Sequence, residues 1–598
     1  MDRKKLEYKG KEVLEEIEWL TARADLVQED ILQQILARNE KTEYLSKYMH
    51  GSLDVSEFKR RVPVITYKGV HPYIKRIANG EDSSLITGHP ITEMLCSSGT
   101  SSGEPKMMPS IEEDLDRRTF VYNLIMPIMN QYIAGLDKGK AMYLYFVKAE
   151  MSTPCGLLAR TVLTSYYKSR HFKGRALDPY NDFTSPDPTI LCEDSRQSMY
   201  CQLLAGLVHR RKVLRLGAVF ASAFLRAVSF LESNWARLCD DICMGRLDPA
   251  ITDPGCQSSM SAVLVLPDPA LAGEIREICG GPSWKGILCR LWPRAKYIEA
   301  VVTGSMAQYI PALEYYGGGK LPLVCTMYAS SECYFGVNLK PLCNPADVSF
   351  TLLPSMCYFE FIPLGESGAL VLDADEEEEV PVSRLVDLVD VRVGCYYEIV
   401  VTTFAGLYRY RIGDVLQVMG FHNRAPQFRF ICRRNVVLSV DNDKTNEEDL
   451  HKSVTYAKKR LEPYGALLME YTSYVDTSTV PGHYVLYWEI HNHPSVAVKN
   501  PVLEIGSEVL QDCCIAVEEQ LDYVYRRCRS YDRSVGPLEI RVVKRGTFES
   551  LMDLFISQGG SINQYKTPRC IKSGSALSLL SANVKASFFS PRDPTWTP

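Results

Sequence analysis

The chain lacks what would place it in a membrane, on nucleic acid or in an oxidising compartment. No stretch approaches about 18 uninterrupted apolar residues, so no membrane span is expected. Lys and Arg number 67 against 72 Asp and Glu, a formal charge of −5 that gives no general pull toward nucleic acid or an anionic surface. A local basic groove is compatible with that balance. The start, Met1-Asp-Arg-Lys-Lys-Leu-Glu7, is charged and runs into a helix-like Val13–Ile35 without an apolar signal core. Nineteen cysteines are scattered without a C-x-x-C pair, which reads as buried or free thiols in a reducing, cytoplasmic setting. Cys239 and Cys243 sit one helical turn apart with no histidine nearby, and His491 and His493 fall in a polar turn before Pro494. Neither pair reads as a metal site. No internal repeat is present.

What is there is an ordinary soluble composition, 46% hydrophobic and 23% charged, in a chain of 598 residues. That length exceeds what one hydrophobic core organises, so two domains, or a large one with a cap, are expected. The stretch Cys96-Ser-Ser-Gly-Thr-Ser-Ser-Gly-Glu-Pro-Lys106 stands out. Glycines let successive backbone N–H groups turn into one hollow, hydroxyls add donors, and Lys106 adds a compact positive charge, a combination suited to phosphate. The G-x-x-x-x-G-K-[ST] loop of kinases and GTPases is not matched. A polar linker has the same composition, but a strand-like Ile91–Leu95 leads in and a helical pattern follows.

Leu6–Leu45 reads as two amphipathic scaffold helices. Ile111–Ala134 reads as a helix with Asp114 and Asp116 near its N-terminus and a break or kink expected at Pro127. Arg117 and Arg118 lie near its start, either as solvated charge or as a bidentate fork for a carboxylate. Ala141–Val147 is strand-like, and Lys212–Leu231 reads as a buried helix. Tyr297–Val302 is a strand that ends in Thr303-Gly304-Ser305, a small-residue turn where a flat ligand approaches the backbone or where packing demands glycine. Leu321–Met327 is a strand that ends in Tyr328-Ala-Ser-Ser-Glu-Cys-Tyr-Phe-Gly336. Glu332 would hold a magnesium ion bridging ATP phosphates, although Ser-Ser-Glu also serves as a helix cap.

A third motif is Leu407-Tyr-Arg-Tyr-Arg-Ile-Gly-Asp414, in which Gly413 turns the chain and Asp414 accepts hydrogen bonds from ribose hydroxyls or simply closes a β-turn. The acidic run Asp373–Glu379 reads as a solvated loop. After Val436 a polar tract, Asp441-Asn-Asp-Lys444-Thr-Asn-Glu447, precedes a helix. We place a hinge near residues 440–444, between a domain of residues 1–440 and a smaller α+β domain of residues 441–598. In the latter, Leu467–Val475, Tyr484–Ile490 and Leu538–Val543 are strands and Glu508–Arg526 a helix. Near its end sits Gln564-Tyr-Lys-Thr-Pro-Arg569.

The three motifs in this order, with the hinge tract and the Gln564–Arg569 stretch, resemble the Gretchen Hagen family of plant acyl acid amido synthetases along the whole chain. The resemblance implies an α/β adenylate-forming fold with a large N-terminal domain and a small mobile C-terminal domain. It implies ATP with Mg2+, an acyl-adenylate, and transfer of the acyl group to an amino acid. By resemblance Ser97, Ser98, Gly99, Thr100, Ser101 and Ser102 hold phosphates, and Thr303 and Gly304 line the adenine. Tyr328, Ala329, Ser330 and Ser331 meet AMP, Glu332 holds the metal and Asp414 the ribose. Met327 to Phe335 is similar to the branch that conjugates indole-3-acetate, the auxin. Jasmonate or benzoate as the acid, an acyl-CoA ligase, and a nucleotide-binding protein without chemistry are the alternatives.

Arg117 or Arg118 is expected to grip the acid, with Val162, Leu163, Met327, Ala329 and Tyr334 as an apolar slot. Val162 and Leu163 read equally as core. Lys444 and Lys566 are expected to serve successive half-reactions as the small domain rotates, and Ile540, Arg541, Val542, Val543 and Lys544 to shape the amino-acid entrance. The expected partners are small molecules, with no nucleic acid or membrane, acting on a monomer.

Overall fold

The computed structural model describes residues 3–101, 104–175, 179–365, 384–433, 436–438, 440, 443, 445–476, 478–479, 481–492, 506–558, 562, 565–596. Asp373–Glu379, Ser102 and Lys444 lie outside them. The chain forms two compact units that divide between Ile431 and Cys432.

The larger unit is built on a parallel sheet in the order Lys140–Leu144, Val213–Phe220, Tyr297–Val301, Leu323–Val324. Parallel strands need crossovers, and helices Ser195–Val208, Ala221–Met244 and Ile310–Gly317 lie in the connections. The run expected as a helix over Lys212–Leu231 divides: Val213–Phe220 is a buried strand, and the helix begins at Ala221. A strand buried on both faces shows no alternation, so periodicity alone does not separate it from a buried helix. At the N-terminus three helices, Arg3–Ala22, Ala24–Asn39 and Glu43–Met49, replace the expected two. Helix Glu112–Asn130 continues through Pro127, which sits in its last turn and so removes a single backbone bond near an end already short of partners.

Beside it an eight-stranded sheet runs Val386–Asp387, Tyr358–Gly365, Tyr396–Thr402, Tyr410–His422, Ala425–Arg433, Phe350–Leu352, Tyr334–Val337, Met327–Ala329. Four steps separate the strand of Asp414 from the edge strand of Tyr328, roughly 19 Å in a flat sheet at ~4.8 Å per step. The Tyr328 hydroxyl nevertheless donates to Asp414 Oδ2 at 2.7 Å. The sheet therefore curls back on itself, and the third motif faces the second across its concave side.

One buried ion pair anchors this sheet. Arg409 donates from Nε and Nη2 to the two carboxylate oxygens of Glu360 at 2.8 Å each, and from Nη1 to the carbonyls of Lys59 and Val62 at 2.7 and 2.9 Å. Both side chains are buried. Burial pushes the Glu360 carboxyl above its usual range, against the pull of Arg409. Arg409 adopts φ +45, and its N–H donates to Thr402 Oγ1 at 2.9 Å. Neighbouring positions are equally occupied: Tyr408, beside it in the segment that leads into the strand, donates to the Ile86 carbonyl at 2.6 Å, and Arg411 in the strand forks onto Glu398 at 2.9 Å.

The smaller unit is α+β. Its sheet runs Ala466–Asp476, His483–Asn492, Glu539–Val543, Val584–Phe589, and Tyr484, Trp488, Leu510, Val517 and Tyr525 lie in its main core. Asp443, in the polar tract, is fully buried, accepts from the Val440 N–H at 3.1 Å and from the Tyr484 hydroxyl, and so ties its tract to the sheet of its own unit.

Removing one partner of a buried, fully bonded ion pair leaves the other charge stranded. Arg409→Met or Glu360→Gln is expected to cost about 3–5 kcal/mol. Denaturant unfolding checks this: a loss below about 1 kcal/mol in both variants would show that the pair does not anchor the sheet.

Candidate active site

The serine tract folds as strand rather than open loop. Glu93–Ser101 pairs antiparallel with Glu104–Ser110, and between Cys96 and Thr100 the register slips, so that Ser97, Ser98 and Gly99 stand opposite Lys106 alone. Such a bulge releases backbone N–H groups from the ladder, which keeps the phosphate reading of this backbone. Ser97–Ser101 are described in backbone only. Lys106 Nζ lies 5.5 Å from the Tyr67 ring centroid. Lys148 is a further cation here that the motif reading passed over: it is half-buried, Cys96 is near enough to interact with its amine, and burial lowers its pKa.

Thr303 begins the short 3-10 helix Gly304–Tyr309 after strand Tyr297–Val301. Gly304 has φ +60, and a Cβ there would stand 2.9 Å from Phe430 Cε1. The Phe430 centroid is 6.2 Å from that of Tyr328, whose hydroxyl reaches Asp414. Gly304 and Tyr328 thus flank one aromatic ring that sequence reasoning did not single out, and Asp414 joins them through the Tyr328 hydroxyl. Phe430 is far along the chain and belongs to an ordinary alternating strand, so nothing local marks it.

Tyr328-Ala-Ser-Ser-Glu332 is a hairpin tip, not a helix cap. Strands Met327–Ala329 and Tyr334–Val337 pair antiparallel, and the Ser330 N–H donates to the Cys333 carbonyl at 2.8 Å. Ala329 is exposed, and Ser330, Ser331 and Glu332 are half-buried at the turn. Asp414 follows Gly413 (φ +84) at an irregularity of the Tyr410–His422 strand and is buried. It lies within a strand, not a β-turn.

The two arginines differ. Arg117 Nη1 donates to Asp114 Oδ1 at 2.8 Å, and its guanidinium carbon stacks 3.7 Å from the Phe404 ring centroid. Arg118 is buried: Nη2 donates to Ser110 Oγ at 3.0 Å, whereas Nη1 has no partner. A buried guanidinium nitrogen without an acceptor is costly to leave unmade, and a carboxylate would satisfy it. Val162 and Leu163 open the helix Val162–Lys168 and are buried. Tyr334 is buried, with its hydroxyl 3.0 Å from that of Tyr122, one turn beyond Arg118 on its helix. That i, i+4 spacing was the available signal for Tyr122. Met327 is half-buried.

In the smaller unit Lys566 is exposed. Ile540 and Val543 are core residues, Arg541 pairs with Asp476 and Glu539 at 3.2 and 2.7 Å, Val542 is half-buried and Lys544 exposed.

By its relatives the chain is a ligase, of the acyl acid amido synthetase class. The chain belongs to the GH3 family: its N-terminal domain matches residues 13–323, its central domain residues 350–433 and its C-terminal domain residues 448–575. The chain is 69% identical to GH3.9 of Arabidopsis thaliana over the full length of both. It is 57% identical to the indole-3-acetic acid-amido synthetase GH3.17 of the same plant over 97% of each chain. The solved GH3.15 acyl acid amido synthetase superposes with a TM-score of 0.89 at 48% identity over 98% of each chain. Among the described residues no helix is long and apolar enough to cross a membrane.

Gly304 combines a left-handed backbone with a ring against its Cα. Gly304→Ala is expected to destabilise by about 1–3 kcal/mol. In a Phe430→Ala background the added cost should fall, because the contact is gone and only the backbone strain is left. Equal costs in the two backgrounds, measured by denaturant titration, would show that the ring does not exclude a side chain there.

Proposed function

We propose that the protein activates indole-3-acetate with ATP, forming an acyl-adenylate and pyrophosphate, and transfers the acyl group to the amine of an amino acid with release of AMP. The observation that carries the reading is the buried Arg118, whose Nη1 has no partner beside the buried Tyr334 of the second motif. An unmet donor next to an aromatic and aliphatic wall suits a small flat acid held by its carboxylate. The names of the relatives, indole-3-acetic acid-amido synthetases among them, support the choice of acid.

In this reading the bulged backbone at Ser97–Gly99, with Lys106, cradles phosphate, Phe430 and Gly304 present a surface to the adenine, and Asp414 takes the ribose hydroxyls. Glu332 fits Mg2+, which accepts one carboxylate with phosphate and water oxygens for the rest. The ion's contribution when bound is to offset charge on the phosphates. Attack by the carboxylate then depends on Arg118 holding the acid in line, which positioning alone can accelerate strongly. Lys566 and Lys444 belong to the same proposal as the cations that serve transfer and activation in turn about a hinge near residues 440–444. So do Arg541, Val542 and Lys544 at the amino-acid entrance, and a cytoplasmic monomer as the working form.

The test incubates the protein with ATP, Mg2+, indole-3-acetate and each amino acid, or CoA, and follows pyrophosphate and amide separately. Amide is expected. Thioester without amide would make it an acyl-CoA ligase, and no pyrophosphate with any acid would leave a binding protein. Arg118→Ala should raise KM for the acid at least ten-fold more than KM for ATP, whereas Lys566→Ala should slow amide formation and spare pyrophosphate release. Equal KM effects for Arg118→Ala would give that residue a purely structural role.

A further inference from the structure

A cavity of about 820 Å3 in the larger unit opens among helices Arg3–Ala22, Glu112–Asn130 and Arg170–Gly174. Of the residues placed in the candidate site above, Met327 and Tyr122 line it. Its upper walls are aromatic. Tyr122 stacks on Tyr166 at 4.1 Å and Tyr145 on Tyr167 at 4.7 Å, with Phe172 and Phe183 beside them.

Its floor is polar and comes from neighbouring strands of the parallel sheet. Tyr143 and Glu299 flank Gly217 in register, and a Cβ on Gly217 would stand 2.3 Å from the Glu299 carbonyl oxygen and 2.9 Å from the Tyr143 ring. The missing side chain lets the Tyr143 hydroxyl donate across the row to Glu299 Oε2, while Thr326 Oγ1 donates to Oε1 at 2.9 Å. Each carboxylate oxygen keeps a further acceptor position. Arg215, two register positions away and so on the same face, is fully buried. Its Nη1 meets the thioether of Met126 at 3.1 Å and the guanidinium interacts with the Tyr297 hydroxyl, whereas its Nε and Nη2 make no hydrogen bond of normal geometry. Among the described residues no direct ion pair joins Arg215 to Glu299.

The other guanidinium and ammonium groups on the cavity already have carboxylates within reach: Lys11 has Glu15 at 3.5 Å, Arg170 has Glu112 at 3.4 Å and Arg175 has Asp187. The floor therefore carries a guanidinium and a carboxyl group that burial pushes above its usual range against the pull of Arg215, with donors unmet on one and acceptors open on the other. A carboxylate or phosphate would face Glu299, and a hydrocarbon would leave Arg215 unmet. A hydroxyl answers both, since its oxygen accepts and its hydrogen donates.

We propose that this cavity is a second small-molecule site, for an uncharged aromatic compound ending in a hydroxyl, its rings among the tyrosines and its hydroxyl between Arg215 and Glu299. The wall toward the acyl slot is one residue thick, because Tyr122 lines the cavity and its hydroxyl meets Tyr334.

The test uses the full-length protein with 2-naphthol and naphthalene as probes in equilibrium titrations. The expected result is saturable binding of one 2-naphthol per chain, at least ten-fold tighter than naphthalene. Glu299→Gln and Arg215→Met should each reduce that advantage to under three-fold while leaving naphthalene unchanged, which also controls for folding. Saturating indole-3-acetate should shift 2-naphthol affinity by less than three-fold. Equal affinities for the two probes in the wild-type protein would overturn the proposal, whether or not the variants fold. So would an undiminished advantage in both variants, or full displacement by indole-3-acetate, which would place 2-naphthol in the acyl slot. None of these readings requires turnover, so they stand apart from the outcome for the proposed reaction.

Discussion

The pairing of Arg409 with Glu360 sets the terms for the rest of the larger unit. Every donor group of the guanidinium that the pair uses is spoken for, two on a carboxylate and one on two carbonyls of a distant turn. An arginine in a left-handed conformation is unfavourable by itself, and this network over-determines it. From that fixed point the strand runs outward to Gly413 and Asp414, so the carboxylate proposed for the ribose inherits its position from a buried ion pair. Lysine at 409 would not substitute, because a point charge cannot satisfy two carboxylate oxygens and two carbonyls in one plane.

Much of this was legible beforehand, and the limits have physical causes. The strand Tyr484–Ile490, within His483–Asn492, was readable although Tyr484–Glu489 are all buried, because a short run rich in aromatic and aliphatic residues follows the turn signal Pro481-Gly482. Val213–Phe220 was misread because a strand buried on both faces has no alternation to show. The chemistry-bearing motifs were visible as residue types, yet their local shapes were not. The serine tract is a bulged strand, Ser-Ser-Glu a hairpin tip, and Asp414 a residue within a strand, since a short polar string is compatible with loop, cap and bulge alike.

Residues that complete the site from far along the chain were the least accessible. Phe430 enters through a Cβ-sized gap at Gly304, and the glycine was noticed without its reason. The choice between Arg117 and Arg118 could not be made from adjacency. It turns on Asp114 and Phe404 occupying one and Ser110 only half occupying the other. Ile540 and Val543 read as possible lining from the motif order, whereas their strand lies inside its sheet and points them into the core.

The hydrogen bond from Tyr328 to Asp414 spans the mouth of the curled sheet, from its edge strand to one four steps inward. It works as a clasp. A ribose hydroxyl that comes to the same carboxylate must share its lone pairs with the tyrosine or take them from it. Where Asp414 takes the ribose as proposed, nucleotide affinity and the tightness of the sheet's free edge are two readings of one equilibrium. Any substitution that stiffens the clasp would be felt as weaker nucleotide binding, with no change to an atom that the nucleotide touches.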